Sequence, residues 1–124
     1  MTHKIGHITY KIGLQMLKPI LGSAIREKVL LFILAREKGY AREIAGFFNI
    51  SLNQVQKQMD GLESGGVFVS QNAGRTRIYE FNPRYPFLNE LRTLLEKALS
   101  VYPKDIQENL LLNRRRPRRR NKPL

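Results

Sequence analysis

The stretch from Ala41 to Gly66, AREIAGFFNISLNQVQKQMDGLESGG, constrains this chain more than any other. It reads as two short helices joined by a tight turn. Ile44, Ala45, Phe47 and Phe48 lie on the inward side of the first helix. Asn49-Ile50-Ser51 forms the turn, and the Ser51 hydroxyl can accept a hydrogen bond from a free N–H of the helix that follows. That helix repeats Leu52, Val55, Met59 and Leu62 at helical spacing, so one stripe faces a core. At about 100° per residue, Asn53 and Lys57 fall nearly opposite the stripe, with Gln54 and Gln56 on its flanks. Gly65-Gly66 stops the helix.

A helix, a three-residue turn and a capped helix with an amide-and-lysine outer face is the way a helix-turn-helix presents its second helix to a DNA groove. Charge agrees with a polyanionic partner. The 124 residues carry 22 Lys and Arg against 10 Asp and Glu, a formal charge of +12. Seven of the basic residues fall within Arg114–Leu124, so the body is moderately basic at +5 and the tail extremely so. Nucleic acid is the first partner this implies, an acidic membrane surface the second. There is no cysteine, which excludes disulfides and thiolate metal sites and fits a reducing cytosol. The longest apolar run, Val29 to Ala35, is seven residues, far short of the roughly 20 that span a bilayer. MTHKIGHITYK has no signal-peptide hydrophobic segment. A cytoplasmic protein with no membrane partner is expected.

Along the chain, residues 1–21 read as an N-terminal arm or a short helix broken by Pro19. His3 and His7 would share a helical face, but no further ligands stand nearby, so no metal is assigned. Ser23 caps a helix of about 15 residues through AIREKVLLFILAREK, ended by Gly39; an apolar block with charges at both ends predicts a helix touched on several sides. Val67, Phe68 and Val69 start a strand, Gln71-Asn72-Ala73-Gly74 is turn chemistry, and Thr76 to Phe81 alternates as a second strand. The hairpin carries Arg75 and Arg77 at its tip. Phe87, Leu88, Leu91, Leu94, Leu95, Ala98 and Leu99 repeat at helical spacing in a last long helix, and DIQENLLL adds one or two turns. RRRPRRRNKPL cannot bury enough surface to offset its ordering entropy, so disorder is expected when it is free.

From Leu21 to Leu99 the chain resembles winged helix-turn-helix transcriptional regulators of the ArsR-like and MarR-like kind, in particular short regulators related to nucleotidyltransferase-associated proteins. LGSAIREKVLLFIL matches the first helix, YAREIAGFFNIS the second helix and turn, SLNQVQKQMDGLESGGVFV the recognition helix and its exit, and GRTRIYEFNPRYPFLNELRTLL the wing and final helix. The resemblance implies a mainly α fold with a small β-hairpin (α+β): a winged helix-turn-helix over 22–82, a C-terminal helical extension over 83–112 available for a dimer contact, and a tail over 113–124. It implies a sequence-specific regulator of double-stranded DNA, repressor ahead of activator, with a nucleotidyltransferase-like protein as a further partner. The leucine stripe of the last helix could simply cover the first helix of its own domain; a homodimer contact is the favoured reading, because a small domain has little room for all of Leu88, Leu91, Leu94, Leu95 and Leu99. Metal sensing does not carry over, because metal-sensing members use cysteines or His/Asp clusters that this chain lacks. Asp60 and Gly61 depart from the pattern in the half of the recognition helix that rises from the groove, and the Arg-rich tail lies outside the pattern altogether.

The DNA-binding set expected is Ser51, Asn53, Gln54, Gln56 and Lys57 on the helix, with Arg75 and Arg77 on the wing. Asn and Gln can pair bidentately with adenine, and Lys can donate to guanine. Arg42 and tail residues Arg114, Arg115, Arg116, Arg118, Arg119 and Arg120 would make nonspecific phosphate contacts. Two other readings stand beside this one. An RNA-binding accessory protein would need exposed stacking rings, for which Tyr40, Tyr79 and Tyr85 are the candidates. A winged helix used for protein contact would make DNA incidental. No phosphate-binding glycine loop, nucleophile elbow or metal-ligand spacing is present, so neither an enzyme nor a cofactor is expected.

Overall fold

Residues 15–111 are described in this computed structural model, and they pack around one central helix. That helix, here α2 (Ala24–Arg36), follows a four-residue α1 (Lys18–Leu21). Ser23 caps α2, its hydroxyl accepting from the Arg26 N–H at 3.1 Å. Every residue from Val29 to Ala35 is buried, as expected of a helix apolar around most of its circumference. Residues 1–14, with His3 and His7, and the Arg-rich tail from Arg114 lie outside the described residues.

The sequence predicts α2 to run to Gly39, but it ends at Arg36. Glu37 takes a left-handed φ of 73°, and Lys38–Gly39 become a two-residue strand, β1. A Cβ at Gly39 would stand 2.9 Å from the Phe32 ring, so glycine is needed there for close approach rather than for stopping a helix. The helix-turn-helix pair follows as α3 (Ala41–Phe48) and α4 (Leu52–Ser64). Strands β2 (Phe68–Ala73) and β3 (Thr76–Phe81) complete a three-stranded antiparallel sheet of order β1-β3-β2. The fold is thus mainly α with a small sheet, one strand larger than the predicted hairpin.

The hairpin is also tighter than predicted. Gln71, Asn72 and Ala73 belong to β2, paired with Ile78, Arg77 and Thr76, which leaves only Gly74 and Arg75 in the turn. Gly74 takes φ 66° and Arg75 does not go positive, the pattern of a type II′ hairpin turn.

After the sheet, α5 (Leu88–Ser100) buries Leu95 and Ala98 against α2, and Leu88, Leu91, Leu94 and Leu99 are half-buried. Phe87, expected on this stripe, precedes the helix and is 62% exposed. A further helix, α6, spans 104–111. It returns to the core through Leu110.

One buried charge knits the two ends of the described chain together. Glu27, one of the charges flanking the apolar block, is 0% exposed. Its Oε1 accepts from the Leu17 N–H at 3.0 Å and its Oε2 accepts from the Tyr102 hydroxyl at 2.6 Å. Burial pushes its carboxyl above the ordinary range, opposed by these two hydrogen bonds. The same burial, with Glu27 beside it, drives the Tyr102 phenol far upward, so the hydroxyl stays a donor. Leu17 itself is buried, which docks this end of the N-terminal arm. The expected break near Pro19 is present: Gln15 is helical, Met16–Leu17 form a turn, and the helix resumes as α1 with Pro19 in its first turn, where a missing N–H is not needed.

Candidate nucleic-acid interface

The α3–α4 turn closes locally. Asn49 adopts the left-handed region at φ 57°, which Asn tolerates better than other non-glycine residues, and the Ile50 N–H reaches back to the Ala45 carbonyl at 3.0 Å. Ser51 then caps α4, accepting from the Gln54 N–H at 3.4 Å. Behind the turn, Phe32, Phe47 and Phe48 meet edge to face, with centroids 4.8–6.4 Å apart.

Three sets of contacts fix the rotation of α4 about its own axis. Val55, Met59 and Leu62 are buried in the core. On one flank, Gln58 accepts from Arg26 Nε of α2 at 2.8 Å. On the other flank α4 is fastened to the wing at two levels. Gln56 Nε2 donates to the Tyr79 hydroxyl at 3.1 Å and to Asp60 Oδ1 at 2.9 Å, and the Tyr79 hydroxyl donates to Asp60 Oδ1 at 3.3 Å. One turn further on, the Ser70 hydroxyl donates to Glu63 Oε2 at 2.6 Å and accepts from Arg77 Nε at 2.9 Å. Burial, first among several causes, pushes the Tyr79 phenol up, so it remains protonated and able to donate.

With both flanks held, Asn53, Gln54 and Lys57 are exposed and face away from the core. Among the described residues, the side chains of Asn53 and Lys57 have no polar partner. Gln56 is placed differently from its neighbours: it is half-buried, and its amide group is engaged with Tyr79 and Asp60.

The wing tip is brought against the same end of α4. Tyr40, Ala41, Arg42, Leu52, Gln56, Arg75, Thr76 and Arg77 line one depression of about 310 Å³. Arg42 from the first turn of α3 and both wing arginines therefore converge on it, and their guanidiniums give it a positive potential. The two wing arginines differ. Arg77 is restrained by Ser70, by Asn72 Oδ1 at 3.3 Å and by Glu63 at 3.9 Å, whereas Arg75 at the turn is exposed and has no such partner among the described residues.

Tyr79, Asp60, Glu63 and Ser70 were not in the expected DNA-binding set, and they are what orient it. Tyr79 in particular, a candidate surface ring from the sequence, is 1% exposed and packs against Phe68. The signal was present in the strand alternation, which puts Tyr79 on the same face as Phe81. Tyr40 and Tyr85 retain exposure, but only Tyr40 lines the depression.

This arrangement is a winged helix-turn-helix, and solved structures share it. The chain is similar to the transcriptional regulator BldR from Sulfolobus solfataricus, with a TM-score of 0.55 at 15% identity over 89% of this chain and 76% of that one. It is similar to a MarR-family transcriptional regulator from Rhodococcus sp. RHA1, with a TM-score of 0.51 at 17% identity over 91% of this chain and 86% of that one. It is also similar to a mutant of ZitR from Lactococcus lactis, with a TM-score of 0.50 at 23% identity over 71% of this chain and 67% of that one. At these identities the likeness is one of fold. No family model and no curated protein matches the chain. No helix among the described residues is long and apolar enough to cross a membrane.

Proposed function

We propose that this protein binds double-stranded DNA with sequence preference and regulates transcription, repression being favoured over activation. The observation that carries the reading is the pairing of two surfaces. Asn53 and Lys57 project from an α4 whose rotation is fixed, and Arg42, Arg75 and Arg77 gather at its N-terminal end. An α-helix fits the major groove, where Asn can pair with adenine and Lys can donate to guanine. Gln54 flanks that surface. The N-terminal end of α4 with Ser51, and the arginine-lined depression beside it, would take backbone phosphates. Gln56 would reach a base only by leaving Tyr79 and Asp60, so its first role is to hold the wing. The neighbours described as transcriptional regulators support the same reading.

A homodimer through the half-buried leucines of α5 would set two recognition helices about 34 Å apart, suiting a palindromic site. The Arg-rich tail, from Arg114 to Arg120, would add sequence-independent phosphate contacts. A cytoplasmic location and a nucleotidyltransferase-like partner belong to the same proposal.

Mobility shifts with duplex DNA, single-stranded DNA and structured RNA at two salt concentrations test the reading. Tightest binding to duplex DNA, weakening steeply with salt, is expected. Preference for single strands or folded RNA would favour the RNA-binding reading instead.

A further inference from the structure

We infer that Glu43 and Arg36 are positioning residues for duplex binding: through this pair the last turn of α6 holds the first turn of α3, and with it Arg42, in place for a backbone phosphate. This rests on the DNA-binding reading above. Helices α2 and α4 each begin with a side-chain cap, but α3 begins at Tyr40, whose side chain supplies none. An eight-residue helix without that cap is prone to fray at its free N–H end. Yet Tyr40, Ala41 and Arg42 form the α3 wall of the arginine-lined depression. Something else must fix that turn if the wall is to present Arg42 in one place.

Glu43 takes over that task. Its carboxylate is stabilised by the Tyr40 backbone N–H, the reach-back half of a capping box. Its Oε2 also faces Arg36 Nη1 at 3.6 Å. Arg36 is held in turn. Its guanidinium lies over the Phe32 ring of α2 at 4.5 Å and the Phe47 ring of α3 at 5.0 Å. Its Nε donates to the Leu110 carbonyl at 3.0 Å and its Nη2 to the Asn109 carbonyl at 3.3 Å. Carbonyls in the last turn of a helix lack intrahelical donors and favour a cation beside them. The Arg36 side chain is 8% exposed and that of Glu43 33%, so solvent screens the pair less than a surface pair. One guanidinium thus joins α2, α3 and α6, and the residue next to its carboxylate partner is Arg42. Charge makes the inference decidable. Glu43 is a negative group beside a phosphate contact, so electrostatics alone would have its removal strengthen binding to a polyanion. A positioning role demands the opposite sign.

The test is the duplex-DNA affinity of the full chain across a salt series, with melting temperature recorded alongside. The variants are Glu43→Gln, Arg36→Lys, Arg42→Ala, and each of the first two combined with Arg42→Ala. Glutamine keeps an acceptor for the Tyr40 N–H and removes the charge that Arg36 pairs with. Lysine keeps a charge for Glu43 and gives up the fork that spans the two α6 carbonyls. Glu43→Gln and Arg36→Lys should each weaken binding about threefold to tenfold, and by less than about twofold once Arg42 is alanine. Arg42→Ala should lower the salt slope by about 0.9, and Glu43→Gln should move it the same way. Should Arg36→Lys fail to fold, Glu43→Gln, at a partly exposed side chain, decides the matter. Duplex binding that Glu43→Gln tightens or leaves unchanged would overturn the inference while leaving the DNA-binding reading in place. So would equal losses with and without Arg42, or a folded Arg36→Lys chain that binds as tightly as the parent. A full chain that binds no duplex DNA at about 50 mM salt would overturn both.

Discussion

Helices α2 and α4 are each 13 residues long and each starts from a serine cap, yet α2 buries eight of its residues and α4 only three. The contrast shows where polar groups go when packing leaves them no choice. A helix covered on most sides must give its charged groups internal partners. Glu27 finds them in the Leu17 N–H and Tyr102, and Arg36 finds them in Leu110, Asn109 and Glu43. A helix covered along one stripe can leave its outer polar groups unpaired at no cost, because water pairs them. Asn53 and Lys57 are such groups, and their hydrogen-bonding capacity is open to another molecule.

The largest expected effect separates the two helices by stability. Phe32→Ala on α2 removes a fully buried ring from the aromatic cluster and should cost about 3–5 kcal/mol, read as a lowered melting temperature. Lys57→Ala on α4 should change stability by no more than about 0.5 kcal/mol. Similar losses at both would erase the distinction.

The buried carboxylate sharpens it next, through pH. Glu27 and Glu43 both have raised folded-state values, chiefly through burial. The folded state therefore holds these protons more tightly than the unfolded chain. That favourable contribution is present in acid and is lost as pH rises from the ordinary carboxylate value of 4.5 through the raised folded value. Glu27→Gln keeps an acceptor for Leu17 and can donate to Tyr102, so it should flatten this part of the stability profile. An unchanged profile, followed by thermal melts across pH, would show that Glu27 does not titrate in this window.

Smaller effects concern how α4 is held. Tyr79→Phe removes the hydroxyl between Gln56 and Asp60, and should cost about 0.5–1.5 kcal/mol. It should also weaken duplex binding, because the wing loses one of its two fastenings to α4. The caps come last. Ser23→Ala should cost about 1 kcal/mol and Ser51→Ala less, since the Ser51 bond is longer, 3.4 Å against 3.1 Å, and exposed. Chemical denaturation resolves both, and the reverse ranking would mean that the exposed cap governs the turn.

Much of this was legible from local pattern. The seven-residue apolar block of α2, the 52-55-59-62 stripe of α4, both serine caps and the two-strand wing follow from periods of 3.6 and 2 and from cap chemistry. What escaped depends on partners far away in sequence. Glu27 looks like any charge flanking an apolar run until Tyr102, 75 positions on, is folded against it. The two residues of β1 are too few to alternate, and only the approach of Gly39 to Phe32 and its pairing with Tyr79 define them. At the candidate site the outward position of Asn53 and Lys57 could be read from helical phase. The engagement of Gln56 and the convergence of Arg42 with the wing arginines could not, because both depend on where β3 docks beside α4.

The most direct measurement is the affinity of the Asn53→Ala, Lys57→Ala double variant for a selected duplex site and for an unrelated duplex of equal length, with melting temperature recorded alongside. The account predicts an unchanged melt, a loss at the selected site of roughly 5-fold to 150-fold for each base contact removed, and a much smaller loss on the unrelated duplex. Equal losses on both duplexes, or no loss on either, would mean that this face of α4 does not read bases.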